Sequence, residues 1–261
     1  MRKIISIVLT LTLLLSFGLA AQAVDAAPEP AGYVYIMVDA NVLDAGVFYG
    51  PARVYFYEDE SAMDVTARFL GDNVIGADIG FVSGIVLPRN ITVNVPEPIA
   101  TALAEVDPSF PAAGSTQAGQ TLGNGHFAAW AGWTYNVNNE QPDFFAGAVA
   151  LAQGDVIRWE FTLRAGVCIG FDDDWDNTPA FIDRADRGKL IAAVANTDAA
   201  HPPELSNLLA TQAEIDEAVE VVLAEDDTNI WRTVLSVAAI VVLAVFSGFA
   251  IFRFVRILAS V

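Results

Sequence analysis

Hydrophobic and polar positions change rhythm several times along the chain. Residues 33–38, YVYIMV, form an unbroken apolar run of the length of a buried strand. Residues 53–57, RVYFY, are rich in aromatic and β-branched side chains and predict a second strand. Ser61 and Asp64 then stand three apart, as in an acidic helix-capping box. Met63, Ala67 and Leu70 mark one face of a short helix, and Gly71 closes it. Further on, Trp133, Tyr135 and Val137 alternate with polar residues. Residues 156–163, VIRWEFTL, alternate again, with Ile157, Trp159, Phe161 and Leu163 on one side and Arg158, Glu160 and Thr162 on the other.

Between these halves the pattern is weaker. Residues 81–86 predict a short strand, and residues 99–105 a short helix. Five prolines fall between 87 and 125, and the Gly-, Ser-, Thr- and Gln-rich stretch 114–125 predicts a mobile loop. After Arg164 the spacing turns helical: Ile182, Leu190, Ile191 and Val194 share a face over 181–196. Thr211 and Glu214 form a second capping box, and Ile215, Val219 and Val222 line one face of the helix it starts. That helix reads as a stalk or as a helix packed on the domain. The expected class is α+β: one sheet domain over 33–164, then an acidic loop and a helical stalk over 165–229.

The two ends obey a different rule. Arg2 and Lys3 precede an uncharged apolar run, 4–20, and Ala21-Gln22-Ala23 supplies small residues for cleavage. Residues 1–23 therefore read as an export signal, and 24–32, with two prolines, as a flexible lead. Residues 233–252 carry no charge over about the length that crosses a bilayer core. Trp231 precedes them and Arg253 and Arg256 follow. The expectation is a single membrane helix over 230–252 and a cytoplasmic tail over 253–261. A buried core helix is the competing reading, and the absence of a polar stripe counts against it.

Charge agrees with an exported domain. All 32 acidic residues lie between Asp25 and Asp227, where only eight Lys or Arg stand, giving that interval a formal charge of −24. Such a field repels nucleic acid, which is excluded as a partner, and favours cations and solubility. Cys168 is the only cysteine, so no intrachain disulfide forms.

Two stretches offer binding chemistry. In residues 132–147, GWTYNVNNEQPDFFAG, four aromatics accompany an Asn-Asn turn. Trp133, Tyr135, Asn138, Asn139, Phe144 and Phe145 are the candidate ligand-binding residues. The alternative assigns Trp133 and Tyr135, with Trp159 and Phe161, to the core. Phe144 and Phe145 are adjacent, so a regular strand would expose only one of them. In residues 172–183, DDDWDNTPAFID, the spacing of Asp172, Asp174, Asp176, Thr178 and Asp183 matches a twelve-residue calcium loop, with Asn177 in place of the usual glycine. The alternative is a solvated acidic turn at a helix start. His126 and His201 show neither metal-ligand spacing nor a nearby nucleophile, and no phosphate loop or serine elbow occurs, so the chain is not expected to be an enzyme.

Taken together, the pieces at 54–70, 82–85 (VSGI), 132–139 (GWTYNVNN) and 151–163 (LAQGDVIRWEFTL) resemble a bacterial surface domain of unknown function. That domain is in turn similar to the C-terminal domain of the cobalamin carriers transcobalamin and intrinsic factor. The resemblance implies a β-grasp fold with an insertion at 87–125, and a cobalamin-like ligand. The larger helical barrel that completes the carriers has no counterpart in this chain. The expected function is that of a membrane-anchored, extracytoplasmic, non-catalytic binding protein capturing a cobalamin-like or carbohydrate ligand. The alternative is a structural or adhesive module that binds a surface protein and is stabilised by calcium.

Overall fold

The computed structural model describes residues 28–107, 110, 114–173, 177–197 and 199–226. The expected export signal, membrane helix and tail lie outside them. Among the described residues no helix is long and apolar enough to cross a membrane.

The architecture is α+β, with four α-helices among the described residues. Its main sheet is built from strands β1 (Gly32–Asp39), β2 (Val47–Phe56), β8 (Gly132–Val137) and β9 (Val156–Thr162), in the order β2-β1-β9-β8. β1 and β9 run parallel in the middle, and β2 and β8 are antiparallel edges. A backbone crowding near the β1–β2 ladder requires glycine: at Gly50, φ is +75° and a Cβ would stand 2.3 Å from the Ile36 carbonyl oxygen.

Helix α1 (Ala62–Leu70) packs on one face of this sheet. Its capping box is present as expected: the Ser61 hydroxyl accepts from the Asp64 N–H at 3.2 Å, and the Asp64 carboxylate accepts from the Ser61 N–H at 2.8 Å. The Trp159 indole donates to the Thr66 hydroxyl at 2.9 Å, fixing α1 over β9. Val34, Ile36, Val38, Ile157, Trp159 and Phe161 share this core with Met63 and Val65.

The second face of the sheet is also buried, and every residue of β9 is enclosed. Helix α3 (Gly188–Asn196) and helix α4 (residues 212–226) cover it with Leu190, Ile191, Val194, Ile215, Ala218 and Val222, packed against Tyr35, Met37 and Val156. α4 is thus a helix packed on the domain, and its Thr211–Glu214 box is formed. α3 starts at Gly188 rather than at residue 181, because the Asp186 carboxylate takes the Gly188 N–H at 2.8 Å.

The insertion is more ordered than its composition predicts. Strand β4 (Gly84–Val86) pairs with both β3 (Val74–Ile75) and β7 (Thr121–Gly123), while β5 (Ile91–Thr92) pairs with β6 (Ser115–Thr116). The mobile loop expected over 114–125 therefore contains β6 and β7. Their partners lie about 25 to 40 residues away, beyond the reach of a local propensity argument. Helix α2 (Glu97–Val106) falls where a helix was expected, with Pro98 in its first turn.

Candidate functional site

The β8 edge borders an open groove of about 910 Å³. Its walls come from β8, Asn124 and Trp130 on one side, residues 139–145 on another, and residues 171–173 beyond. The hydrogen-bond phase of the sheet determines what β8 presents. The Asn138 N–H donates to the Val156 carbonyl at 2.9 Å. In an antiparallel ladder the bonded residues alternate, so Asn136 and Thr134 also face β9. The backbone groups of Trp133 and Tyr135 point the other way, to the unpaired edge.

The expected ligand residues divide. Trp133 and Tyr135 carry their rings into the core, 7% and 8% exposed. There the Trp133 indole donates to the Leu122 carbonyl at 2.8 Å, and the Tyr135 hydroxyl donates to the Phe144 carbonyl. Burial pushes the Tyr135 hydroxyl up to about 12. Asn138 serves the turn: φ is +53°, its Oδ1 accepts from the Val156 N–H, and its Nδ2 donates to Asp155. Asn139, Phe144 and Phe145 line the groove. Both phenylalanines are exposed, at 68% and 73%, where only one was expected. The reason is local: the segment is not a strand but leads into a 3-10 turn at Ala146–Ala148, and Ala146 fills the interior position instead.

Sequence reasoning missed several lining groups. Trp130 is 69% exposed and Phe81 is 43% exposed, both on the groove. Phe171, Asn124 and Gln141 line it as well. An available signal for Trp130 was its position just before the alternating strand, outside the run whose phase sends Trp133 and Tyr135 inward. The rim carries the carboxylates Glu140, Asp143, Asp172 and Asp173, and none of its lining residues is lysine or arginine.

Behind the groove lies a buried charge network on the second face of the sheet. Arg158 Nε donates to Asp39 at 2.7 Å, and Arg158 Nη2 stands 2.9 Å from Glu160, an ion pair without hydrogen-bond alignment. Arg184 Nη2 donates to Glu160 at 2.6 Å, and Asn136 Nδ2 to the same carboxylate at 2.7 Å. Burial works against the Glu160 charge, but the guanidinium groups of Arg158 and Arg184 outweigh it and hold its carboxyl below the usual range. For Asp39 burial wins over Arg158, and its carboxyl is raised. Burial also lowers Arg187 to about 10, where its guanidinium bonds backbone carbonyls of Ala185, Glu204, Asn207 and Leu208.

Of the expected calcium loop, residues 172, 173 and 177–183 are described. Asn177 has φ +54°, and the backbones of Asp173 and Thr178 bond to each other in both directions, at 2.9 and 3.1 Å. Asp172 Oδ1 accepts from the Ala180 N–H at 2.9 Å, and Asp183 is exposed. Asp174 and Asp176 lie outside the described residues. Among the described residues no three His, Cys, Asp or Glu side chains converge on a metal position.

Fold and groove together define an α+β domain with an open surface groove rimmed by carboxylates. Residues 116–162 match the model of a family described as a domain of unknown function, DUF4430. No curated protein and no solved structure matches the chain significantly. The matched stretch runs from β6 through β9 and includes most of the groove's inner wall.

Proposed function

We propose that the chain is a membrane-anchored, extracytoplasmic, non-catalytic binding protein whose ligand occupies the groove at the β8 edge. The sheet order, with β1 and the last strand parallel at its centre and α1 crossing one face, supports reading the domain as a β-grasp. The uncharged run 230–252 and the signal-like 1–23 support the anchored, exported topology.

The observation that carries the binding role is the groove itself: exposed rings of Trp130, Phe144, Phe145 and Phe81 beside amide side chains, with no cation among the lining residues. Rings offer flat apolar contact and amides offer hydrogen bonds. That combination suits a neutral ligand with apolar faces and polar edges, such as a carbohydrate or a cobalamin-like ring. It disfavours ligands of net negative charge, which would meet the rim acids. The described lining residues bring no serine, cysteine, histidine or lysine beside these acids, which favours binding over nucleophilic catalysis of the Ser-His or Cys-His kind.

Titration of the full-length chain with cyanocobalamin and with neutral oligosaccharides, read by tryptophan fluorescence, tests this. A saturable change that disappears in Phe144→Ser/Phe145→Ser supports the groove; an unchanged response in that variant places the ligand elsewhere. A second reading, capture of a protein partner, is favoured by the unpaired backbone groups of Trp133 and Tyr135, which can receive an added strand. Under it no small molecule would alter the fluorescence.

A further inference from the structure

The side chain that sets the polarity of the groove wall sits behind the groove. Arg184 is 7% exposed. Its Nη1 and Nη2 stand 3.3 and 2.6 Å from the two oxygens of Glu160, and Nη1 also donates to the Ile169 carbonyl at 2.8 Å. The guanidinium lies 4.1 Å from the centroid of the Phe171 ring, which lines the groove. Its remaining group, Nε, donates to Asn139 Oδ1 at 2.8 Å.

A guanidinium has only donors. The Asn139 oxygen is therefore the atom turned toward Arg184, and the amide NH2 is turned away. The Asn139 Nδ2 has no protein partner among the described residues, is not buried, and belongs to a side chain on the groove wall. The backbone under it is held in the tight turn after β8, with φ +66°.

The geometry points to Arg184 as a positioning residue that fixes ligand specificity through Asn139. This rests on the groove being the ligand site. Held by Arg184, Asn139 is a donor of set direction rather than an amide free to present either end. The groove then selects a ligand that offers an uncharged acceptor oxygen at this point, a ring hydroxyl or an amide carbonyl. An anionic acceptor would satisfy the same donor but would also meet Glu140, Asp143 and Asp172. Phe171, stacked on the other side of the guanidinium, is placed by the same side chain.

Asn139→Asp separates this role from a structural one. The carboxylate still accepts from Arg184 Nε and tolerates the left-handed turn, while the NH2 donor is replaced by a charged acceptor oxygen; binding measured at low and high salt separates the lost donor from the added charge. In the full-length chain the variant should melt no lower than the wild type. Its affinity for maltohexaose or cyanocobalamin, whichever the wild type binds, should fall about tenfold, the worth of one good hydrogen bond. Hydrogen exchange by NMR on the wild type is the second measurement. The Arg184 Nε–H should be protected from water while the Asn139 amide protons exchange freely. Unchanged affinity in Asn139→Asp, or Asn139 amide protons as protected as the Arg184 Nε–H, would overturn the proposal. If neither probe binds the wild type, the ligand reading fails by itself, and the exchange measurement still decides which way Asn139 faces.

Discussion

Thr66 shows how one side chain can join two elements. Its hydroxyl donates to the Ala62 carbonyl at 2.7 Å and accepts from the buried Trp159 indole. Thr66→Val keeps the shape and removes the acceptor, leaving an indole N–H without a partner in the core. The expected loss is about 1–3 kcal/mol in urea unfolding; a neutral result would show that the indole bond does not hold α1. Cys168 is another fully buried residue, and burial raises its thiol from an ordinary 9.0 to about 12. The fold therefore favours the protonated form. That contribution is complete below pH 9.0 and is lost as pH rises toward 12. Stability should decline across that alkaline range, and less steeply in Cys168→Ala. Iodoacetamide at pH 8 should leave the native thiol unmodified and label it only after unfolding, because the thiolate is the reactive form.

Among the elements, α1 and β9 make opposite points about what a sequence discloses. The Ser61–Asp64 box is local, three residues long, and its geometry follows from its spelling. Ser61→Ala should cost about 0.5–2 kcal/mol by thermal melting. β9 was equally legible as an alternating strand, and the polar side of such a strand commonly faces water; here that side is Arg158, Glu160 and Thr162. They are instead buried under residues 165–226, because charges paired across elements can be enclosed and the pairing residues, Asp39 and Arg184, are far away in sequence. β6 and β7 were illegible for the same reason, since each consists of two or three residues that gain strand geometry only from a remote partner. At the groove, Phe144, Phe145 and Asn139 could be named from the aromatic-rich turn, whereas Trp130, Phe81 and Phe171 arrive from separate segments. Glu160→Leu removes the common partner of Arg158 and Arg184 and leaves both guanidinium groups short of compensation. The predicted destabilisation is about 3–5 kcal/mol in denaturant melts; a stable variant would mean that water reaches the network.

At the scale of the whole molecule, the sheet is a shared wall between two cores. One holds α1 and the other holds α3 and α4. Residues 165–226 are therefore part of the fold. A chain ending after residue 164 would expose Tyr35, Met37 and Val156 together with the Asp39–Arg158–Glu160 charges. It should lose its cooperative melt and bind a hydrophobic dye, while an intact melt would contradict the two-core arrangement. The groove lies at the free edge of this wall, and its Asn139 side is braced from behind by Arg184, which also pairs with the buried Glu160. The most direct test of the binding claim is thermal melting of the full-length chain against cyanocobalamin and a panel of neutral oligosaccharides, beside the Phe144→Ser/Phe145→Ser variant. A ligand that occupies the groove raises the melting temperature by mass action. The account predicts a concentration-dependent rise in the wild type that the variant lacks; equal rises in both proteins, or none in either, would contradict it.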